Sequence, residues 1–267
     1  MKYLERISSF DENNLISLDE AVMGALELFS INNINKINIS EYKKPLIAWS
    51  WNAIETAKII FAWIDALFCD ETNFDDYIKK DIDGLIIVSA SWEKHALIYA
   101  QKAKNKWIKT KLITCNPESS SSKLIWKENT TVTLKNREPY TYNTSTYMWW
   151  ILAFTWEKAS SIKIFIENEI NPILEKIDFS KYDSFLLVTP DKFSWVNQLF
   201  IVKFIELFGR KIARDVFSYE NIKHAITVVP HKTELCISFW KWNLDFNWNH
   251  LNIPLPTNLN IWWMMAI

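Results

Sequence analysis

Residues 84–94 read Gly-Leu-Ile-Ile-Val-Ser-Ala-Ser-Trp-Glu-Lys, and they carry the first clear signal of the fold class. The apolar run at 85–90 has the composition of a buried strand, and a helical pattern follows at once over 93–106. Residues 45–52, Pro-Leu-Ile-Ala-Trp-Ser-Trp-Asn, begin the same order of apolar strand, short turn and amphipathic segment, here at 52–68. Strands that alternate with helices in this way are typical of parallel sheets covered by helices. We therefore predict an α/β fold.

The alternation continues along the chain and predicts a helical arm at 1–40, a first lobe at 41–158 and, at 159–267, a linker helix with a second lobe. The predicted strands lie at 45–50, 84–90, 109–115 and 130–134 in the first lobe and at 184–188, 225–229, 234–239 and 250–254 in the second. The linker helix is predicted at about 160–177. Because the apolar segment at 261–267 has no polar end or cap, we expect the second lobe to be incomplete at its C-terminal end.

Charge and cysteine usage exclude several classes of function. The 30 basic and 31 acidic residues give a formal net charge of -1 and form no basic block for nucleic acid or anionic lipid. No apolar stretch approaches the roughly 20 residues that a membrane span needs. Cys69, Cys115 and Cys236 are odd in number and widely spaced, unlike a disulfide framework or a metal-binding knuckle. We expect a soluble, cytoplasmic protein with reduced thiols.

Glycine and tryptophan occur in abnormal numbers, 3 and 15. Glycine usually makes up about 7% of residues, or roughly 19 in a chain of this length, and the two counts together come close to that figure. The tryptophans also stand where turns require a small residue, as at Trp49 and Trp51 after one predicted strand, Trp92 after another, and Trp107 after a predicted helix. The simplest interpretation is that UGA codons written here as tryptophan are read as glycine.

The alternative is a protein that is truly rich in tryptophan, whose indole rings line an aromatic groove for neutral sugars. The pair Trp149-Trp150 is echoed by Trp262-Trp263, each pair opening an apolar helical segment, and this suggests a loose internal repeat. Trp150 and Trp263 lie among small residues of these segments, which favours glycine over a groove.

With glycine at 49 and 51, the loop at 47–52 reads Ile-Ala-Gly-Ser-Gly-Asn between a strand and a helix N-terminus. Backbone N–H groups converge in such a loop with the positive end of the helix dipole, and glycine lets a phosphate approach the main chain. We expect Ser50 and Asn52 to bind phosphate here, together with Ser89, Ser91 and Lys94 of the loop after the next strand. The alternatives are an ordinary strand-to-helix turn and, for Ser91, a helix cap.

The run Ser89-x-Ser91-(Gly)-Glu93 after an apolar strand resembles the signature of sugar isomerase (SIS) domains, which occur in phosphosugar isomerases and in the isomerase half of glucosamine-6-phosphate synthase. Residues 137–147 resemble a second segment of that family, whose Ser-Thr pair, here Ser145 and Thr146, lies beside the sugar phosphate. Two departures concern specificity: Lys94 stands where the family often has Thr, and Tyr147 stands where the synthase has Lys.

The resemblance implies two lobes, each a mostly parallel, doubly wound (flavodoxin-like) sheet, with no cofactor and no metal. Residues 219–224, Tyr-Glu-Asn-Ile-Lys-His, resemble the Glu-Leu-Lys-His run of the second SIS lobe with one extra residue. Glu220 is then the base that moves a proton between C1 and C2, and His224 assists ring opening. The alternative is a surface Glu and His at a helix end.

These observations favour an aldose/ketose phosphate isomerase that acts through an enediol. The main rival is a non-catalytic sensor that binds the same sugar phosphate, and a third possibility, if the tryptophans are real, is a module for neutral sugars. The expected partner is a small-molecule sugar phosphate. We also expect a homodimer, for which the apolar face of the arm at 15–29 gives weak support.

Overall fold

Two parallel sheets, one in each of two units, organise the chain. The computed structural model describes residues 2–34, 36–49, 53–61, 64–90, 94–139, 142–225, 231–239 and 249–256. The units are Met1–Glu157 and Lys158–Ile267. The predicted fold class, two α/β lobes with parallel sheets flanked by helices, is confirmed.

The first sheet has its strands in the order β2-β1-β3-β4-β5 within the described residues, and every neighbouring pair is parallel. Its strands are β1 (Pro45–Ala48), β2 (Leu67–Cys69), β3 (Gly84–Ser89), β4 (Thr110–Thr114) and β5 (Thr130–Val132). The chain adds β2 on one side of β1 and β3 on the other. The carboxyl ends of β1 and β3 therefore meet where the strand order reverses, with Ala48 beside Ile87.

Helices cover both faces of this sheet. They are α1 (Lys2–Ser9), α2 (Leu18–Ile31), α3 (Ala53–Phe61), α4 (Phe74–Tyr77), α5 (Lys94–Asn105), α6 (Ser120–Leu124) and α7 (Thr144–Thr155). Leu85 and Ile87 of β3 share a buried cluster with Leu112 of β4 and with Tyr99 and Ala103 of α5. Both α2 and α3 pack against α7. Every residue of β3 is buried, which is why the strand carries no polar side chain before Ser89 at its end.

The second sheet has the order β7-β6-β8-β9, again parallel throughout within the described residues. Its strands are β6 (Ser184–Thr189), β7 (Ala213–Ser218), β8 (Glu234–Phe239) and β9 (Asn249–Ile253). The helices are α8 (Ala159–Phe165), a π-helical turn (Ile166–Ile170), α9 (Asn171–Leu174), α10 (Asn197–Phe208) and α11 (Tyr219–Ala225). Leu186, Val188 and Cys236 form a core with Ile222 of α11.

One sequence-based assignment of secondary structure is wrong, a second is contradicted at a single residue, and one further strand was missed. The segment at 52–68 is not one amphipathic element, because α3 ends at Phe61 and Leu67–Cys69 forms β2. The predicted strand at 225–229 begins on Ala225, which is the last residue of α11, and 226–229 lie outside the described residues. The strand that precedes α11 is β7, which sequence reasoning missed because it is a half-exposed edge strand with charged residues in its first half.

Candidate functional site

The candidate site lies at the carboxyl ends of β1 and β3, where the order of the first sheet reverses. Open parallel sheets bind ligands at such a switch point because the loops of neighbouring strands diverge there and leave a crevice. Both predicted phosphate loops begin at this position. Ser50, Trp51, Asn52, Ser91 and Trp92 lie outside the described residues, as does the side chain of Lys94, whose backbone begins α5.

The turn after β3 is held against the end of β4. Ser89 is buried and pairs with Thr114 in the ladder. The Ala90 carbonyl accepts a hydrogen bond from the Cys115 N–H at 3.1 Å and one from Thr114 Oγ1 at 3.4 Å. The Cys115 thiol also contacts this carbonyl. The backbone that leads into the second predicted loop is therefore fixed by the neighbouring strand.

Ser145 and Thr146 begin α7 and are fully buried. The Ser145 hydroxyl donates to Glu138 Oε1 at 2.7 Å and accepts from the Asn136 N–H at 2.9 Å. Thr146 Oγ1 lies 3.9 Å from Cys115 Sγ, next to the turn after β3. The structure thus brings the predicted Ser-Thr pair to the end of β4, the strand beside β3.

Glu138 occupies the N-terminus of α7. Its carboxylate accepts the Thr144 N–H at 3.0 Å and the Ser145 N–H at 3.2 Å, in addition to the Ser145 hydroxyl. Burial raises the pKa of Glu138, and its hydrogen bonds to Ser145 and the nearby Lys135 offset that effect in part. A helix N-terminus attracts anions, and here an internal carboxylate already satisfies its first donors.

Glu138 lies in the segment 137–147 that resembles the family, but no role was predicted for it from the sequence, and Cys115 and Asn136 were not identified as neighbours of this site. Burial raises the pKa of the Cys115 thiol. The Asn136 side-chain nitrogen is buried and has no hydrogen-bond partner in the part of the chain that the structure describes. Their positions in the sequence could have indicated them, because Cys115 directly follows β4 and Glu138 precedes the start of α7 by six residues.

Glu220 and His224 lie four residues apart on α11 of the second unit, and both are exposed. The Glu220 carboxylate forms an ion pair with Lys223 at 2.6 Å, which raises the pKa of Lys223. The backbone N–H of Glu220 donates to Asp191 Oδ1 at 2.9 Å, so the Asp191 carboxylate caps the start of α11. Residues four apart lie on one face of a helix, so an acid and an imidazole share that face.

The second sheet carries hydroxyl groups at the ends of its strands that the sequence analysis did not identify. Thr189, Ser218 and Ser238 are buried in β6, β7 and β8. Ser238 Oγ lies 2.7 Å from His250 Nε2 on β9.

Among the described residues there is no group of three or more His, Cys, Asp or Glu side chains that could hold a metal ion. In the same part of the chain, no helix has both the length and the apolar character of a membrane span.

No protein-family model and no curated protein sequence matches the chain. Solved structures do match it. Glucosamine-6-phosphate deaminase of Thermotoga maritima is 15% identical, with 100% of this chain and 91% of that chain covered and a TM-score of 0.62. The C-terminal domain of glucosamine-fructose-6-phosphate aminotransferase from Francisella tularensis is 13% identical, with 99% and 92% covered and a TM-score of 0.61.

Tagatose-6-phosphate ketose/aldose isomerase of Escherichia coli is 14% identical, with 89% and 69% covered and a TM-score of 0.52. At these identities the similarity shows a shared fold. The chain is therefore a two-lobed α/β protein with parallel sheets in both lobes. Its fold is the one seen in these enzymes, and the predicted resemblance to sugar isomerase domains is confirmed at that level.

Proposed function

We propose that the protein is an aldose/ketose isomerase of a sugar phosphate, which transfers a proton through an enediol. The observation that carries this proposal is the strand order β2-β1-β3-β4-β5, which puts the ends of β1 and β3 side by side. The two loops that the sequence predicts to bind phosphate begin at these adjacent strand ends. Two unrelated sequence motifs thus converge on one edge of one sheet.

The phosphate is proposed to lie in the crevice at this edge. The proposed ligands are Ser50, Asn52, Ser89, Ser91 and Lys94 of the two loops and Ser145 and Thr146 of α7. The buried position of Ser89 and the contact of Thr146 with Cys115 support a site at the ends of β3 and β4. Since Glu138 already accepts from the first donors of α7, the helix that follows β3 is the better source of free backbone N–H groups.

The proposed chemistry needs a base that removes the proton from the carbon next to the carbonyl and returns it to the former carbonyl carbon. The C–H electron pair forms the enediol double bond while the carbonyl oxygen takes up a proton. The hydroxyl group of the neighbouring carbon then gives up its proton and becomes the carbonyl, while the former carbonyl carbon takes the proton from the base, so no external oxidant or reductant is consumed. Glu220 is proposed as this base, and His224 as the group that opens the sugar ring. One of the similar structures is named for this type of reaction, a ketose/aldose isomerisation of a sugar phosphate.

The second candidate is a non-catalytic protein that senses the same sugar phosphate. The ion pair between Glu220 and Lys223 favours it, because this carboxylate would have to leave Lys223 before it could accept a proton from a sugar carbon. Both candidates share the binding site in the first unit. They differ only in whether the bound sugar is turned over.

We also propose a cytoplasmic homodimer with one sugar site in each chain. The helical arm packs on its own unit, with Phe29 of α2 edge-on to Trp149 of α7 at 5.2 Å between ring centroids. This leaves Leu15 and Ile31 as exposed apolar residues of the arm, 59% and 57% exposed. The support for pairing through the arm is therefore confined to these two side chains.

The test is solvent deuterium exchange, because an enediol intermediate exchanges its carbon-bound proton with water. The protein, produced with glycine at its 15 tryptophan positions, is incubated in D₂O with a panel of aldose and ketose phosphates and with the free sugars. We expect deuterium at C1 or C2 of a phosphorylated sugar only. Glu220→Gln should lower the exchange rate by at least a hundredfold, as removal of a general base does.

Glu175→Gln, an exposed acid of the same unit, is the matched control and should retain full exchange. Saturable binding of a sugar phosphate without exchange would select the sensor. If no sugar phosphate binds, both candidates are wrong, and if Glu220→Gln retains full exchange, another group is the base.

A further inference from the structure

The backbone at two tryptophans has a conformation that suits glycine. Three non-glycine residues in the described part of the chain have a positive φ: Trp107 at 57°, Asn143 at 47° and Trp156 at 62°. Asparagine is enriched in this left-handed region because its short side chain bonds locally, whereas a bulky side chain there is strained. Trp107 and Trp156 have no such reason to be left-handed.

The hydrogen bonds around these residues are those of helix ends that normally carry glycine. After α5, the Ile108 N–H donates to the Ala103 carbonyl at 3.0 Å and the Trp107 N–H to the Lys104 carbonyl at 3.1 Å. This is the complete Schellman pattern, with Trp107 at the left-handed position. After α7, the Trp156 N–H donates to the Leu152 carbonyl at 3.0 Å, which is the simpler left-handed cap.

The side chains at these two positions gain little from burial. Trp107 is 95% exposed and Trp156 is 63% exposed. Lys36 Nζ lies 2.9 Å from the centroid of the Trp156 ring, so that indole makes one favourable contact. Of the two positions, Trp107 gives the clearer evidence for glycine, since its backbone is left-handed and its indole is exposed to solvent.

A second, independent observation concerns three buried tryptophans. Trp49, Trp149 and Trp150 are at most 2% exposed, and the indole N–H of each has no hydrogen-bond partner among the described residues. Buried indole N–H groups normally find an acceptor, because an unpaired buried donor is costly. Three such groups in one unit indicate that the surroundings of these positions are not built for indole.

Two of these indoles fill one space beside the candidate site. Trp49 directly follows β1, and Trp150 lies on α7 with its ring centroid 6.4 Å from that of Trp49. Tyr147 also contacts Trp150, with 5.7 Å between the ring centroids. Replacing both indoles by hydrogen would leave a cavity between the carboxyl end of β1 and α7, bordered by Tyr147.

We infer that the working protein carries glycine at 107 and 156, where the backbone requires it, and at 49 and 150, where glycine opens a cavity at the switch point. The second part rests on the proposed function in one respect: the occupant of the cavity is the carbon skeleton of the sugar phosphate. The presence of glycine at the four positions does not depend on that function.

The first test is the mass of two tryptic peptides from protein made by its natural source. Peptide 138–158 contains Trp149, Trp150 and Trp156, and peptide 44–58 contains Trp49 and Trp51. Glycine at a position lowers the peptide mass by one indolylmethyl group less a hydrogen, so each peptide reports the number of replaced residues and its fragments report their positions. Tryptophan at 49, 150 and 156 would overturn the inference, whatever the protein binds.

The second test measures thermal unfolding of the protein with tryptophan at all 15 positions. Trp107→Gly should raise the unfolding midpoint, and Trp107→Ala should not, because alanine keeps the strain of a Cβ in the left-handed region. Trp126→Gly is the matched control, since Trp126 is also exposed, at 73%, but has a φ of -58°. Equal shifts from Trp107→Gly and Trp107→Ala would overturn the requirement for glycine.

The third test uses free indole as a probe of the cavity. Trp150→Gly and the double variant Trp49→Gly/Trp150→Gly should bind indole saturably, whereas Trp126→Gly should not. A sugar phosphate should displace the indole, and inorganic phosphate alone should not. Indole binding without displacement by a sugar phosphate would confirm the cavity but refute the sugar phosphate as its occupant. A folded single variant that binds no indole would refute the cavity.

Discussion

Glu138 is the residue where burial and charge are most clearly opposed. Its carboxylate accepts three hydrogen bonds at the start of α7, yet burial raises its pKa above the ordinary value of 4.5. The native state therefore binds this proton more tightly than the unfolded state does. The resulting stabilisation is complete below pH 4.5 and is lost as the pH rises through the native pKa of Glu138.

We predict that the free energy of unfolding falls as the pH rises through this window and that Glu138→Gln removes the fall. Each unit by which the native pKa is raised corresponds to about 1.4 kcal/mol. The measurement is urea unfolding at a series of pH values. Glu118→Gln, which removes an exposed carboxylate of the same unit, should leave the slope unchanged. A slope that survives in Glu138→Gln would show that another group causes it.

At the scale of elements, the contact between α1 and α2 depends on Gly24. A Cβ at this position would overlap Ile7 Cδ1 and lie 3.1 Å from Ile7 Cγ1. The buried Glu27 of α2 accepts the N–H groups of Tyr3 and Leu4 at 3.1 and 3.0 Å, so α1 is also fixed at its N-terminus. The helix therefore has little freedom to move away from an added methyl group.

Gly24→Ala should destabilise the protein by up to about 2 kcal/mol, because overpacking at about 1–3 kcal/mol outweighs the gain in helix propensity of about 1 kcal/mol. Ile7→Val deletes Cδ1, the atom that the added methyl group would overlap. In that background Gly24→Ala should cost close to nothing, so a double-mutant cycle of chemical unfolding should give a coupling about equal to the cost of Gly24→Ala alone. Additive effects would show that α1 shifts to accept the methyl group.

Most of the strands that sequence reasoning found are largely buried. The apolar runs of β1, β3, β4, β6 and β8 stand out in the sequence, and each strand was located to within one or two residues. The edge strands β5 and β9 were also predicted, at 130–134 and 250–254, whereas the edge strands β2 and β7 were missed. Leu67–Cys69 is too short to differ from the end of a helical pattern, and β7 carries Arg214 and Asp215 in its exposed half.

The residues of the candidate site also fall into two groups, those that the sequence predicts and those that it does not. Ser145 and Thr146 were identified as site residues because residues 137–147 resemble a contiguous segment of the sugar isomerase family. The carboxylate that holds Ser145 and the thiol that meets Thr146 could not be assigned, since these contacts depend on how β4 and the loop after β5 meet α7. Pairings of this kind are set by tertiary packing, which a periodic pattern does not encode.

At the scale of the whole molecule, each of the two units has a hydrophobic core among its described residues. Leu112 of β4 lies in the core of the first unit, and Leu186 of β6 lies in that of the second. Both are leucines in parallel strands, 1% and 6% exposed, so leucine-to-alanine substitutions at the two positions are closely matched. Each should cost about 2–5 kcal/mol through lost burial and the cavity that remains.

We predict that each substitution lowers the local stability of its own unit. Native-state hydrogen exchange of Leu112→Ala should accelerate for amides of β1, β3 and β4 while β6 and β8 keep their protection, and Leu186→Ala should do the reverse. The physical reason is that amides exchange through the opening of cooperative units, and each unit here encloses its own core. Equal acceleration in both units by both substitutions would show that the two cores open as one, and the two-unit description would then fail for the energetics.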